Sequence, residues 1–319
     1  MARFAVRRLI NMAFVLFAIS VVTFLIFYVF PGTDTKAQVQ RIAGRSSNEA
    51  TRAQVRKDYG FDEPVYAQYA RLIEKAANGS LVSYSNQTNV RDEIVRGIPA
   101  TASLVIGAAV IWTFFGVLFG VLSAVYVGRW PDRVLTVLSM IGISLPVFWV
   151  GALLLYYLTD RIQLFPPGGY VRLTEDPWGW FTHLILPWFT LSILFIGFYS
   201  RLLRSNVLDT INEDYVRTAR AKGLSERRVL VRHVLRNALI PIVTLFGLDF
   251  GAAIGGGAIL TESIFSLQGV GQYAAQSVGS LDLPPVMGTT LYAAFFIVLL
   301  SAVVDIAYAY LDPRIRLNA

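Results

Sequence analysis

The chain has 319 residues, of which 55% are hydrophobic and only 15% charged, with a formal net charge of +7 and no cysteine. Soluble domains average about 45–50% apolar and about 25% charged residues, so a chain of this makeup is solvated largely by lipid. Disorder, coiled coil, collagen and a disulfide-stapled secreted fold are excluded, and the lack of thiols excludes Fe–S clusters, thiolate metal sites and cysteine nucleophiles.

A membrane-crossing helix needs about 20 apolar residues. The first uncharged run, residues 9–30, is closed by Pro31-Gly32. It is too long for the apolar region of a signal peptide and lacks a small-residue cleavage site, so an uncleaved anchor is expected. Residues 31–97 are a different material, mixed in charge, with Tyr66, Tyr69, Leu72, Ile73 and Ala76 spaced along a helix. They are expected to form a small folded unit outside the membrane, lying on the helices.

Further apolar runs cover residues 97–128, 134–159, 177–200, 237–261 (interrupted only by Asp249) and 283–304, which ends before Asp305. The expected fold is therefore an all-α membrane protein with six transmembrane helices. Pro146 and Pro187 are expected to mark kinks.

Orientation follows from Lys and Arg in the short connections. With the N-terminus inside, sixteen of these residues fall on the cytoplasmic side and two in the short outer loops. Segment 31–97 is long enough to escape the rule. Both termini are expected in the cytoplasm, and the basic excess reflects topology, not a nucleic-acid partner.

Motifs for chemistry are missing. No Gly-x4-Gly-Lys-[Ser/Thr] phosphate loop, His-Glu-x-x-His, Gly-x-Ser-x-Gly or Cys-x-x-Cys occurs, so the chain is not expected to be an enzyme. Gly255-Gly256-Gly257 resembles a nucleotide loop only in isolation, because it sits inside an apolar run where backbone N–H groups must be satisfied within the helix. Gly247, Gly251 and Gly255 recur every fourth residue, a pattern that lets another helix approach closely. Packing or a helix break is the expected role.

The segment 201–236 is too long for a turn and too patterned for a linker. Asp214 is placed to cap a helix over 215–222, Gly223 to end it in the left-handed conformation, and Ser225 to cap a second helix. Tyr215, Ala219 and Lys222 share one face, with Arg217 and Arg220 flanking it. Ala219 and Ala221 leave that surface small enough for close approach by another protein. A solvated basic loop is the alternative, but the caps and the small residues favour a docking helix.

These residues carry a family resemblance. Asp214-Tyr-Val-Arg-Thr-Ala-Arg-Ala-Lys-Gly-Leu224, followed by Arg232-His-Val-Leu-Arg-Asn-Ala-Leu-Ile-Pro241, resembles the cytoplasmic loop of binding-protein-dependent ABC importer permeases. More narrowly, it is similar to the first permease subunit of the peptide/nickel branch. Tyr59-Gly-Phe-Asp-Glu-Pro64, Pro99-Ala-Thr101, Pro167-Gly-Gly-Tyr170, His183-Leu-Ile-Leu-Pro187, Glu262-Ser-Ile-Phe265 and Asp282-Leu-Pro284 extend the likeness over almost the whole chain. Arg217-Thr218-Ala219 stands where many such permeases have Glu-Ala-Ala, and Gln272 where a basic residue is usual.

The resemblance implies a type I importer permease. Its parts are a first helix (1–30), an extracytoplasmic subdomain (31–97), a permease core (98–311) containing the coupling loop 201–236, and a cytoplasmic tail (312–319). Asp214, Tyr215, Arg217, Ala219, Arg220, Ala221, Lys222, Gly223 and Leu224 become the ATPase-coupling helix. The chain binds no cofactor of its own, since ATP and Mg belong to partner ATPase subunits. The other implied partners are a second permease subunit, an extracytoplasmic binding protein and membrane lipid, in a bacterial or archaeal cytoplasmic membrane.

Peptide is the expected cargo; nickel, glutathione and oligosaccharide are the alternatives. A proton-coupled secondary carrier is the rival from another class, but it is expected to show inverted repeats. Asp249, Glu262 and Asp305 are candidates for the translocation path or its gate. Asp249 and Asp305 have the alternative of bonding structurally to neighbours, and Glu262 that of contact with the binding protein.

Overall fold

The computed structural model describes residues 2–29, 39–40 and 49–311. The tail expected at 312–319 and most of 30–48 lie outside the described residues. Helix α1 (Ala2–Phe24) continues through a π-helical turn, Leu25–Val29. Two short helices follow, α2 (Glu49–Tyr59) and α3 (Val65–Ala77).

Helix α4 (Val90–Val125) begins where the Asn89 side chain accepts a hydrogen bond from the Asp92 N–H, with Asp92 and Glu93 in its first turn. Both features favour a helix start. Its 36 residues span about 54 Å, against about 30 Å of hydrocarbon. It therefore projects beyond the membrane instead of beginning at residue 97.

Helix α5 (Trp130–Ser144) is followed by α6 (Val147–Leu154), which runs on as a π-helix over Leu155–Arg161. The two are bent by 97° at Leu145-Pro146, where proline lacks the N–H that the helix needs. Helix α7 (Pro177–Thr210), capped by Asp176, is continuous through Pro187. Only one of the two prolines expected to kink a helix therefore breaks one.

Helix α8 (Asp214–Ala221) leads to the short α9 (Glu226–Val229) and α10 (Leu235–Ala238), joined by a π-turn. Helix α11 (Ile240–Ala252) passes through a second π-helical turn, Ala253–Gly257, into α12 (Ile259–Ile264). Helices α13 (Val270–Gly279) and α14 (Leu283–Leu311) complete the chain. The described residues form no strand, only an isolated bridge between Val82 and Asn89. Five helices are long and apolar enough to cross a membrane, and the bent α5–α6 pair makes a sixth if it is one crossing.

The core lies between α4 and α7, which run parallel. Leu104, Val105, Ala108 and Trp112 pack with Leu184, Leu191, Tyr199 and Leu203. Two polar side chains bond across this seam: Trp188 Nε1 donates to the Ser103 carbonyl at 2.9 Å and Ser192 Oγ to that of Ala108 at 3.0 Å. Helix α5 lies antiparallel to α7, and α14 antiparallel to α11.

A second, smaller core joins the segment 49–89 to α1 and α14 through Phe24, Tyr28, Leu72, Leu81, Val90, Leu283 and Met287. Of the α3 residues expected on one face, Leu72 is buried and Tyr69 and Ala76 pack beside it, whereas Tyr66 is 77% exposed. The bundle thus has two ends, one carrying α8 and the other carrying 49–89 and α13.

Candidate functional site

Helix α8 is amphipathic over only two turns. Val216 and Ala219 are buried in the same cluster as Val229 and Val234. Asn237 Nδ2 donates to the Tyr215 hydroxyl at 2.6 Å, and Arg220 pairs with both carboxylate oxygens of Glu226 at 3.0 and 3.3 Å. These contacts fasten α8 to the segment that leads into α11. Asp214, Tyr215, Arg217, Thr218, Ala221 and Lys222 face outward.

Gly223 has φ +77°, the left-handed conformation expected of it, and a Cβ there would meet nothing within 4 Å. Glycine is needed for its backbone, not for room. Two details differ from expectation. The N-cap is Glu213, not Asp214, which is the first helical residue and pairs with Arg217 at 3.5 Å. Ala219 is buried against its own chain, so Ala221 is the small residue left on the outer face.

The root of α8 is held by groups that sequence reasoning did not single out. Near the end of α7, Arg204 grips Asp132 of α5 with Nε on Oδ1 at 2.8 Å and Nη2 on Oδ2 at 2.9 Å. Two residues on, Asn206 Nδ2 donates to the Ala238 carbonyl of α10 at 3.2 Å. An acid in the first turn of a helix at a basic end was the only signal for Asp132, and nothing nearby in sequence points to Arg204.

The acids considered for the path have different surroundings. Asp249 on α11 is partly exposed and accepts a hydrogen bond at 2.7 Å from the hydroxyl of Tyr199, itself fully buried on α7. Glu262, beyond the crossing, is 0% exposed. Its Oε1 accepts from Thr101 Oγ1 of α4 at 2.7 Å and its Oε2 from the Gln272 N–H of α13 at 2.9 Å. Thr101 Oγ1 in turn accepts from the Val270 N–H at 2.9 Å. Burial pushes the Glu262 carboxyl above the usual carboxylate range, opposed by the donors from Thr101, Gln272 and Gly271. The side chain of Asp305 lies outside the described residues.

Asp282, the first residue of Asp282-Leu-Pro284, is a second buried carboxylate at this end. It accepts from Ser83 Oγ at 2.6 Å, the Tyr84 N–H at 3.0 Å and the Ser85 N–H at 2.9 Å. It thereby ties the unit at 49–89 to the start of α14. Among the described residues, no group of three or more His, Cys, Asp or Glu could hold a metal.

The three spaced glycines face α14. A Cβ on Gly247 would strike Val304, one on Gly251 would lie 3.1 Å from Leu300 Cβ, and one on Gly255 2.8 Å from the Ala293 carbonyl. Gly256, at φ +132°, breaks the helix. The stripe thus lies close against α14, and the triplet carries the break.

Comparison with known proteins agrees with this architecture. Residues 116–317 match the family described as binding-protein-dependent transport system inner membrane component, and residues 1–105 match the N-terminal family of such membrane components. The chain is 35% identical to the glutathione transport system permease protein GsiC of Escherichia coli O6:H1, covering 99% of both chains. It is 33% identical to a protein of Escherichia coli K12 named "probable D,D-dipeptide transport system permease protein", covering 96% of this chain and 95% of that one. Among solved structures, a chain of the MetNI methionine ABC transporter in an inward-facing conformation aligns with a TM-score of 0.54 at 17% identity, covering 69% of this chain and 96% of that one. That likeness shows a shared ABC importer permease fold. A multi-pass membrane chain matched by these family models over nearly its full length belongs to the binding-protein-dependent transport system inner membrane components.

Proposed function

We propose that the chain is one half of the translocation path of an ATP-driven importer of short peptides, and that α8 is its coupling helix. The α8 end faces the cytoplasm, with both termini on that side. Two ATPase subunits bind ATP and Mg there, a second permease completes the path as a heterodimer, and an extracytoplasmic binding protein delivers cargo to the opposite end. ATP binding draws the ATPase subunits together, α8 moves with the surface it docks on, and the bundle changes between inward and outward openings. Such coupling requires a contact that is rigid and differs in energy between the two states.

One observation carries this reading: α8 is anchored on one face by its own chain and bare on the other. Val216, Ala219, the Tyr215–Asn237 bond and the Arg220–Glu226 pair leave it little freedom of its own. Arg217, Thr218, Ala221 and Lys222 are left for a partner. The sixteen-to-two bias of Lys and Arg supports a cytoplasmic position for this end. The cargo class is supported by the relatives, whose names specify glutathione and a D,D-dipeptide, both short peptides. In the path, Asp249 offers a partly exposed carboxylate to a peptide's ammonium group, with Glu262 holding the gate at the outer end.

Reversing charge on the bare face tests the docking role. With Arg217→Glu and Lys222→Glu combined, co-purification of the ATPase subunits falls by at least about tenfold, while the permease still inserts and still pairs with its partner. Unaltered co-purification and ATP hydrolysis would remove α8 from the interface.

A further inference from the structure

The Asp132 carboxylate collects more donors than one ion pair requires. Besides the two from Arg204, it accepts from Ser123 Oγ at the end of α4, from the Gly128 N–H of the turn at 2.8 Å, and from Thr136 Oγ1 at 3.3 Å. The side chain of Arg204 is about a third exposed, whereas Asp132 is only 5% exposed. One carboxylate therefore knots α4, the following turn and α5 onto α7. The knot lies ten residues before the start of α8.

Burying such a pair is a poor way to gain stability, because apolar replacements of similar volume are often neutral or better. What a two-pronged Arg–carboxylate contact supplies is fixed direction. The next polar tie between α5 and α7, Ser139 Oγ to Ser200 Oγ at 2.7 Å, joins neutral hydroxyls, and such bonds are weaker. Beyond it α5 reaches the 97° bend and turns into α6, whose Gly151 lies against Thr190, Ile264 and Phe265. A displacement of α5 at one end is thus delivered to α12, beside Glu262, at the other.

We infer that Asp132 and Arg204 are positioning residues that make α5–α6 follow α8, so that movement at the docking helix reaches the outer end of the bundle. This rests on the proposal that α8 docks on an ATPase. Loss of the pair leaves α8 moving and α5 behind.

The chain has no cysteine, so spin labels can be placed in chosen pairs on introduced cysteines. Thr218 on α8 and Leu138 on α5 are both exposed, and Gln276 on α13 provides an exposed reference. In the complex with the partner permease and ATPase subunits, the Thr218–Gln276 and Leu138–Gln276 distances are compared without nucleotide and after trapping with ATP and vanadate. Both change in the otherwise unmodified chain.

In Asp132→Asn, the Thr218 change persists while the Leu138 change falls by about fivefold or more. Arg204→Lys keeps the charge but loses the fork; it gives an intermediate loss and decides the matter if Asp132→Asn does not assemble. An undiminished Leu138 change in the assembled variants overturns the inference while leaving docking intact. A Thr218 distance that ignores nucleotide in the unmodified complex overturns the docking proposal, and the inference with it.

Discussion

The two ends of the bundle hold buried carboxylates by different means. At the α8 end, Asp132 is neutralised by a guanidinium from another helix. At the α13 end, no counter-ion among the described residues touches Glu262 or Asp282; they are held by hydroxyls and backbone N–H groups. An ion pair is fixed by two side chains and is broken by removing either. A carboxylate seated on backbone donors organises the chain itself, so its removal leaves main-chain groups without partners. The α8 end adds an ion pair between helices to the hydroxyl and backbone donors on Asp132, whereas the α13 end holds its acids by such neutral donors.

The sharpest way to break this contrast is Asp282→Ala. It strands the Tyr84 and Ser85 N–H groups and costs roughly 3 kcal/mol at the contact between the 49–89 unit and α14. The loss is read as accelerated proteolysis of segment 49–89 in otherwise assembled permease. Protection equal to that of the unmodified chain would mean that the acid is not the fastening.

A pH series sharpens the contrast further. Burial raises the Glu262 pKa in the folded chain, so the folded state holds this proton more tightly than the unfolded one. Its contribution is complete below the ordinary carboxylate value of about 4.3 and is lost as pH rises through the elevated one. In that window, thermal stability in detergent should fall with pH by up to about 1.4 kcal/mol per pH unit. This component should vanish in Glu262→Gln; matching slopes in the two proteins would rule out Glu262 as its source.

The smallest effect belongs to Gly223→Ala. The space is open, so only the left-handed backbone matters, at a cost of about 1 kcal/mol. Bundle stability falls by no more than that, while ATPase co-purification weakens by several-fold. Equal binding by the two proteins would show that the end of α8 is not part of the contact.

Much of this organisation was legible in the residues, and its limits have a physical cause. Apolar runs, the glycine repeat at 247, 251 and 255, and the stop at Gly223 are local signals, read within one or two turns. The outlying turns of α4 and α7 were missed because a helix can continue beyond the apolar slab, where hydropathy no longer marks it. Helical spacing does not by itself tell Tyr66, which is exposed, from Leu72, which is buried.

The partners of the acids were illegible for a different reason. Thr101 and Glu262 are 161 residues apart, Ser83 and Asp282 199, and no periodicity connects them. Ala219 was misjudged because small size suits burial as well as docking. Val216 and the neighbouring turn claimed it first.

Gly256 has a mechanical consequence. It ends the fifth crossing, α11, which is clamped to α14 through the spaced glycines, and sets it off from α12, which sits against α6, α7 and α13. A thrust on α11 therefore reaches α12 through packed side chains and not along one continuous hydrogen-bond ladder. The unbroken girders are α4 and α7, 36 and 34 residues long. Torque applied at the α8 end reaches the outer end through them, through α14 and through the packed contacts of α5–α6.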